Sequence, residues 1–198
     1  MLIFYDLETT GLNPYHEKIT EACFLKYLPE DPRYTKFVTL INPNRKLTDT
    51  IVRITNITDE MLVDKPTFTE VGETMFNFIL DGEDTIRYFV AHNGDVFDRI
   101  FLKEHFNMLN IKLPDYGFMH IDTLLFAKKM YPELRKFNLG YLCEKLGIEK
   151  RPGHRAENDT LMLAGLYKKM CNDLALRNNL ESNYYINNTN EVYNFIYN

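Results

Sequence analysis

Residues 86–91, Ile-Arg-Tyr-Phe-Val-Ala, form a β-prone run with almost no polar side. Such a strand belongs in the middle of a sheet, covered on both faces. The flanking segments supply that cover. Residues 2–5 read as a short buried strand, broken by Thr9–Gly11 and Asn13-Pro14. Residues 18–28 and 36–41 are two further strand candidates, and Asn42-Pro43 closes the second. These three strands predict an antiparallel meander. Helical spacing follows at 59–62, with Thr58 and Asp59 as cap candidates, and at 68–80. After the buried strand come a helix over 95–109, a strand at 119–121 and helices over 123–130, 138–146 and 156–170. Asp122 suits the cap of the helix after it, and Gly147 suits the C′ position of the 138–146 helix. The order predicts an α/β domain: a mixed five-stranded sheet, three strands antiparallel and the rest parallel, with helices on both faces. The last stretch, 178–198, is rich in Asn and Tyr and reads as a tail of low order or a peripheral strand.

Charge and cysteine content narrow the function classes. The chain has 198 residues and a net charge of −5, which excludes a strongly basic, histone-like binder. A carboxylate metal site and a local basic patch both remain open. Cys23, Cys143 and Cys171 are far apart, with no CxxC pair, and read as buried reduced thiols of an intracellular protein, cytoplasmic or nuclear. The start, MLIFYD, is too short and wrongly charged for a signal peptide. No apolar run approaches the roughly 20 residues of a membrane helix, so no membrane partner is expected.

Three places carry chemistry. Asp6 and Glu8 end the first strand, and residues i and i+2 of a strand share a face. Two carboxylates there repel each other unless a cation lies between them, and hard divalent cations take oxygen ligands. The second place is His92-Asn93-Gly94-Asp95-Val96-Phe97-Asp98, where the buried strand meets a helix. Asp95 is the better cap, which leaves Asp98 to face the end of the sheet, with His92 orienting the turn. The third is His154-Arg155-Ala156-Glu157-Asn158-Asp159, opening another helix. Histidine changes charge near neutral pH and suits a general base. His16, His105 and His120 read as loop or packing residues.

DLETTG at 6–11, HNGDVFD at 92–98 and HRAEND at 154–159, taken together and in order, resemble the DEDDh exonucleases of the DnaQ-like, RNase H-like 3′–5′ exonuclease superfamily. NIT at 56–58 and IDTL at 121–124 are similar to that family as well, and HNGDVFD with HRAEND looks closest to its three-prime repair exonuclease (TREX) branch. The resemblance spans residues 1–172, an exonuclease domain, and leaves 173–198 as an Asn/Tyr-rich tail, peripheral or poorly ordered. It implies that Asp6, Glu8, Asp98 and Asp159 bind two divalent cations, Mg²⁺ or Mn²⁺, and that His154 is the general base. A tyrosine-type subclass is disfavoured because Arg155 stands where its tyrosine would be. Glu8, Thr9 and Leu12 match positions that touch the terminal nucleotide, Leu12 as an apolar wedge, while Phe97 matches one near the sugar. Lys128-Lys129, Arg135-Lys136, Lys150-Arg151 and Arg155 are candidates for following a phosphate backbone. The implied activity is stepwise release of nucleoside 5′-monophosphates from nucleic-acid 3′ ends, with DNA, single-stranded or frayed, favoured over RNA. An exoribonuclease of the same superfamily and a non-catalytic nucleic-acid binding module are the alternatives. A homodimer is left open.

Overall fold

The computed structural model describes residues 1–28, 31–82, 86–114 and 117–198. Strands β1 (Leu2–Thr9), β2 (Ile19–Leu28) and β3 (Asp31–Leu40) form the antiparallel meander. β4 (Arg87–Ala91) then pairs parallel with β1, and β5 (Phe118–Asp122) pairs parallel with β4. The sheet order is β3-β2-β1-β4-β5. β4 is buried at every position and lies inside the sheet, as its sequence predicts.

Alternation along the strands builds two cores. Leu2 and Phe4 of β1, with Cys23 and Leu25 of β2, face a core shared with α5 (Thr123–Met130), α6 (Leu139–Lys145) and α7 (Ala156–Arg177). Ile3, Tyr5 and Leu7, with Ala22 and Phe24, face the opposite core, shared with α3 (Phe68–Leu80) and α4 (Asp98–Met108). Two short helices, α1 (Asp49–Thr55) and α2 (Asp59–Leu62), connect β3 to α3. The period of two therefore carries Asp6 and Glu8 onto the α7 side, in series with Leu2 and Phe4. All three cysteines are buried and free. Gly147 ends α6 at φ +70°, and the Ile148 N–H reaches the Cys143 carbonyl at 2.8 Å, a left-handed C-terminal closure.

Four expectations need correction. The 178–198 segment is neither a loose tail nor a strand. α7 runs on to Arg177, and α8 (Tyr184–Asn187) and α9 (Thr189–Tyr197) follow, with Tyr185, Ile186, Val192 and Ile196 buried in the α7-side core. Val192 and Ile196, four apart on α9, share one helix face, which the asparagine content conceals. α1 also went unread, although Thr48 caps it by accepting from the Ile51 N–H at 3.3 Å. β3 starts at Asp31 rather than at residue 36. α4 starts at Asp98, not at residue 95, because residues 92–97 are drawn into a turn with Asn93 at φ 61°.

Candidate active site

The carboxyl ends of the parallel strands β1, β4 and β5 meet at one edge of the sheet, where ligands bind in open α/β folds. Asp6 and Glu8 leave β1 there, half-buried, and the β1–β2 register shifts immediately after Glu8. Asp98, buried at 4% exposure, opens α4 and closes on the same strand: its Oδ1 accepts from the Leu7 N–H at 3.2 Å, between the two other acids.

The turn that delivers Asp98 is tied to β5. The Asp122 carboxylate accepts from the N–H groups of Asn93 (2.9 Å), Asp95 (3.3 Å) and Leu124 (2.8 Å), so it caps α5 and pins the turn together. Asp95 does not cap α4; its Oδ2 accepts instead from the Tyr197 hydroxyl at 2.9 Å. That hydroxyl in turn accepts from the Asp122 N–H at 3.1 Å. His92 lies beneath the turn. Its Nε2 donates to the Phe137 carbonyl at 2.7 Å, leaving Nδ1 to face the Thr123 hydroxyl at 2.9 Å. Burial pushes the His92 imidazole down, in keeping with a neutral, orienting ring.

The third wall is the start of α7. His154 sits exposed on a left-handed turn, φ 61°, and its N–H donates to Asp159 Oδ2 at 2.7 Å. Residues five apart are thereby folded onto one another. Ligand atoms of Glu8, His154 and Asp159 all lie within 4.8 Å of one another. Asp6, His154 and Asp159 share one cavity of about 540 Å³ with His92, Asn138 and Arg151.

Four carboxyls crowded this way hold protons unusually well. Burial, then Asp98 and Glu8, pushes Asp6 well above the ordinary carboxylate range. Burial, then Asp159, Glu21 and Asp98, lifts Glu8 to about 8. Burial lifts Asp98 to about 7, although the Leu7 N–H works against it. Burial also raises Asp159, against the His154 N–H. At an effective dielectric of about 20, two like charges some 5 Å apart repel by about 3 kcal/mol. A carboxylate-rich donor set of this kind fits a hard divalent cation, which would displace the protons and cancel the repulsion.

The other expected site residues are placed as follows. Leu12 projects into solvent at 84% exposure, on the loop after β1. Phe97 precedes α4 and packs on Phe101, ring centroids 4.8 Å apart. Thr9 is buried, and its hydroxyl donates to the Gly11 carbonyl at 2.6 Å. None of these three lines the 540 Å³ cavity. Arg155 pairs with an acid: its Nε and Nη2 meet Glu21, at 3.1 and 2.7 Å. Lys150 and Arg151 line the cavity but pair with Glu144 (3.0 Å) and Glu149 (3.9 Å), while Lys129 donates to carbonyls at the end of α9. Glu21, at 2% exposure, is the group that sequence reading missed. Its signal was a lone acid directly before the apolar β2 run Ala22-Cys23-Phe24-Leu25. His105 and His120 are packing residues, both depressed to about 4 by burial; His105 Nε2 accepts from the Ile19 N–H at 3.2 Å.

A mixed β3-β2-β1-β4-β5 sheet with a carboxylate–histidine centre at its strand ends defines an α/β protein of the RNase H-like class. Comparison with known proteins narrows the class. Residues 3–167 match the exonuclease family RNase_T, and the chain belongs to that family. It is 36% identical over 173 residues to the DNA polymerase III PolC-type of Bacillus subtilis, covering 87% of this chain and 12% of that one. The chain thus spans about 12% of the length of the polymerases it matches. It superposes on Exonuclease X in complex with 5′ overhanging duplex DNA with TM-score 0.63 and 25% identity, covering 92% of this chain and 95% of that one. The zinc-bound E. coli ExoI–ssDNA complex shares the fold, with TM-score 0.75, 18% identity and coverage of 89% and 41%.

Proposed function

We propose that the chain is a divalent-metal-dependent 3′–5′ exonuclease that releases nucleoside 5′-monophosphates from DNA, preferring single-stranded or frayed 3′ ends. The observation that supports this reading most is the convergence of Asp6, Glu8, Asp98, His154 and Asp159 at one end of the sheet, with their carboxyls held above the usual range. DNA is favoured by the likeness of HNGDVFD and HRAEND to the TREX branch, and by structural relatives seen with single-stranded and duplex DNA.

In this reading Asp6, Glu8, Asp98 and Asp159 hold two cations, Mg²⁺ or Mn²⁺. Bound there, the cations would neutralise the charge that develops on the scissile phosphate and its leaving oxygen. The chain's own groups do the rest. The His154 imidazole, exposed beside Asp159, accepts the proton of the attacking water. The water oxygen bonds to phosphorus, the P–O3′ bond breaks, and the leaving O3′ takes a proton from solvent, so that the shortened strand leaves with a 3′-hydroxyl. Leu12 wedges against the last base, Phe97 packs near its sugar, and Glu8 with Thr9 touches the terminal nucleotide. Positioning and charge stabilisation carry most of such a reaction.

The test is a 3′-labelled oligonucleotide, as single-stranded DNA, duplex DNA and RNA, with free or blocked 3′ ends. Mononucleotides should appear only with Mg²⁺ or Mn²⁺, only from free 3′ ends, and fastest from single-stranded DNA. Release that survives chelation, or no release from any free end, overturns the reading.

A further inference from the structure

We propose that Glu21 and Arg155 form a positioning strut that holds the His154–Asp159 wall of the site in register with the Asp6–Glu8 wall; the inference rests on the exonuclease reading above. Glu21 stands directly opposite Glu8 in the β1–β2 register, and Cys23 and Leu25 place its face on the α7 side. A carboxylate at 2% exposure beside three other acids is costly unless it is paired and hydrogen-bonded. All its partners come from one place. Arg155 Nε and Nη2 meet it as a fork, and the Ala156 N–H donates to its Oε2 at 2.9 Å.

Arg155 is the residue before the first turn of α7 and offers no side-chain cap of its own. Glu21 therefore caps α7 from the neighbouring strand, where a negative charge suits the helix start. The capped turn lies next to His154 on one side and Asp159 on the other. Among its other ties, the His154 N–H to Asp159 bond uses an oxygen of a proposed metal ligand, and the Asn158 amide donates to the Pro152 carbonyl at 2.8 Å within the loop itself. The Glu21–Arg155 fork needs no atom of the proposed site and ends on a buried carboxylate, whereas the Lys36–Glu157 pair, the turn's tie to β3, lies in solvent.

Glu21→Gln and Arg155→Gln are compared with the wild type for kcat, KM, half-activating Mn²⁺ and calorimetric Mn²⁺ affinity, well below their melting temperatures. Each should lose about 10–100-fold in kcat or Mn²⁺ affinity, with KM for the oligonucleotide within about twofold. Arg155→Lys, which keeps the charge but not the fork, should fall between. The double variant should be little worse than the poorer single one. If Glu21→Gln does not fold, the two Arg155 variants decide. Melting temperatures that drop while kcat and Mn²⁺ constants stay at wild-type values would reduce the pair to a stabilising contact and overturn the strut. A raised KM at unchanged kcat in Arg155→Gln would return Arg155 to the substrate and overturn it equally. Should the wild type release no nucleotide, the exonuclease reading fails, while the Mn²⁺ affinities still judge the strut.

Discussion

The two walls of the site are built on different principles. Asp6 and Glu8 stand on the central strand of the sheet, bonded to β2 along their length, just past where β4 pairs with Leu2–Phe4, and with a packed core beneath each face. Their direction follows from the backbone alone. His154 and Asp159 stand on a left-handed turn and the first turns of a helix, and what aims them is a set of side-chain bonds: His154 to Asp159, Arg155 and Ala156 to Glu21. One wall is fixed by pleat and register, the other by polar contacts that single substitutions remove. The sheet wall concentrates carboxyls, and the helix wall sets the His154 imidazole, the proposed base, against them.

The comparison breaks most severely at the sheet wall. Asp6→Asn removes a proposed ligand from the rigid side and should lower kcat by about 10²–10³-fold or more, without loss of fold. It should also raise the melting temperature of the metal-free protein, since one member of a mutually repelling group is neutralised. A fall in metal-free stability would contradict the repulsion argument. On the helix wall, His154→Ala should cost about 10²–10⁴-fold in kcat while the metal-induced rise in melting temperature persists. Near-wild-type turnover in that variant would remove His154 as the base.

A pH series sharpens the contrast without mutation. Glu8 at about 8 and Asp98 at about 7 lie above their ordinary values near 4, so the folded protein keeps protons that the unfolded chain releases. The metal-free fold should therefore be most stable below about pH 4.5 as far as these groups decide, and lose stability steadily from there to about pH 8. Millimolar Mn²⁺ should flatten that decline. Thermal melts across the range, with and without chelator, read both. The smallest effect belongs to the turn that carries Asp98. Tyr197→Phe deletes the hydroxyl between Asp95 and the Asp122 N–H and should cost about 1–2 kcal/mol of stability, with a modest loss of metal affinity.

How far the sequence speaks differs between the same two walls. The Asp6–Glu8 spacing states its geometry outright, because a strand has period two and the apolar residues before it show that it is buried. Asp98 and Asp159 were legible as members of motifs, but the contacts that aim them were not. Glu21 pairs with a residue 134 positions away, and no local pattern encodes that meeting. Arg155 illustrates the cost: read beside Lys150 and Arg151, it suggests a phosphate contact, and nothing local shows that packing of α7 on β2 pairs it with Glu21. The C-terminal helices were concealed for another reason. Asparagine content argues for disorder, yet Val192 and Ile196 stand four apart on α9 and, with Tyr185 and Ile186, are buried in the core. Composition outweighed periodicity there, and tertiary burial decided otherwise.

The claim beneath all of this is that a proton-retaining carboxylate cluster exchanges its protons for divalent cations. Calorimetric titration of Mn²⁺ near pH 7.5, repeated in buffers of different ionisation enthalpy, tests it directly. The account predicts saturable binding with net proton release in the wild type, both sharply reduced in Asp6→Asn. Binding heats that are the same in the two proteins, or wild-type binding with no buffer dependence, would contradict it.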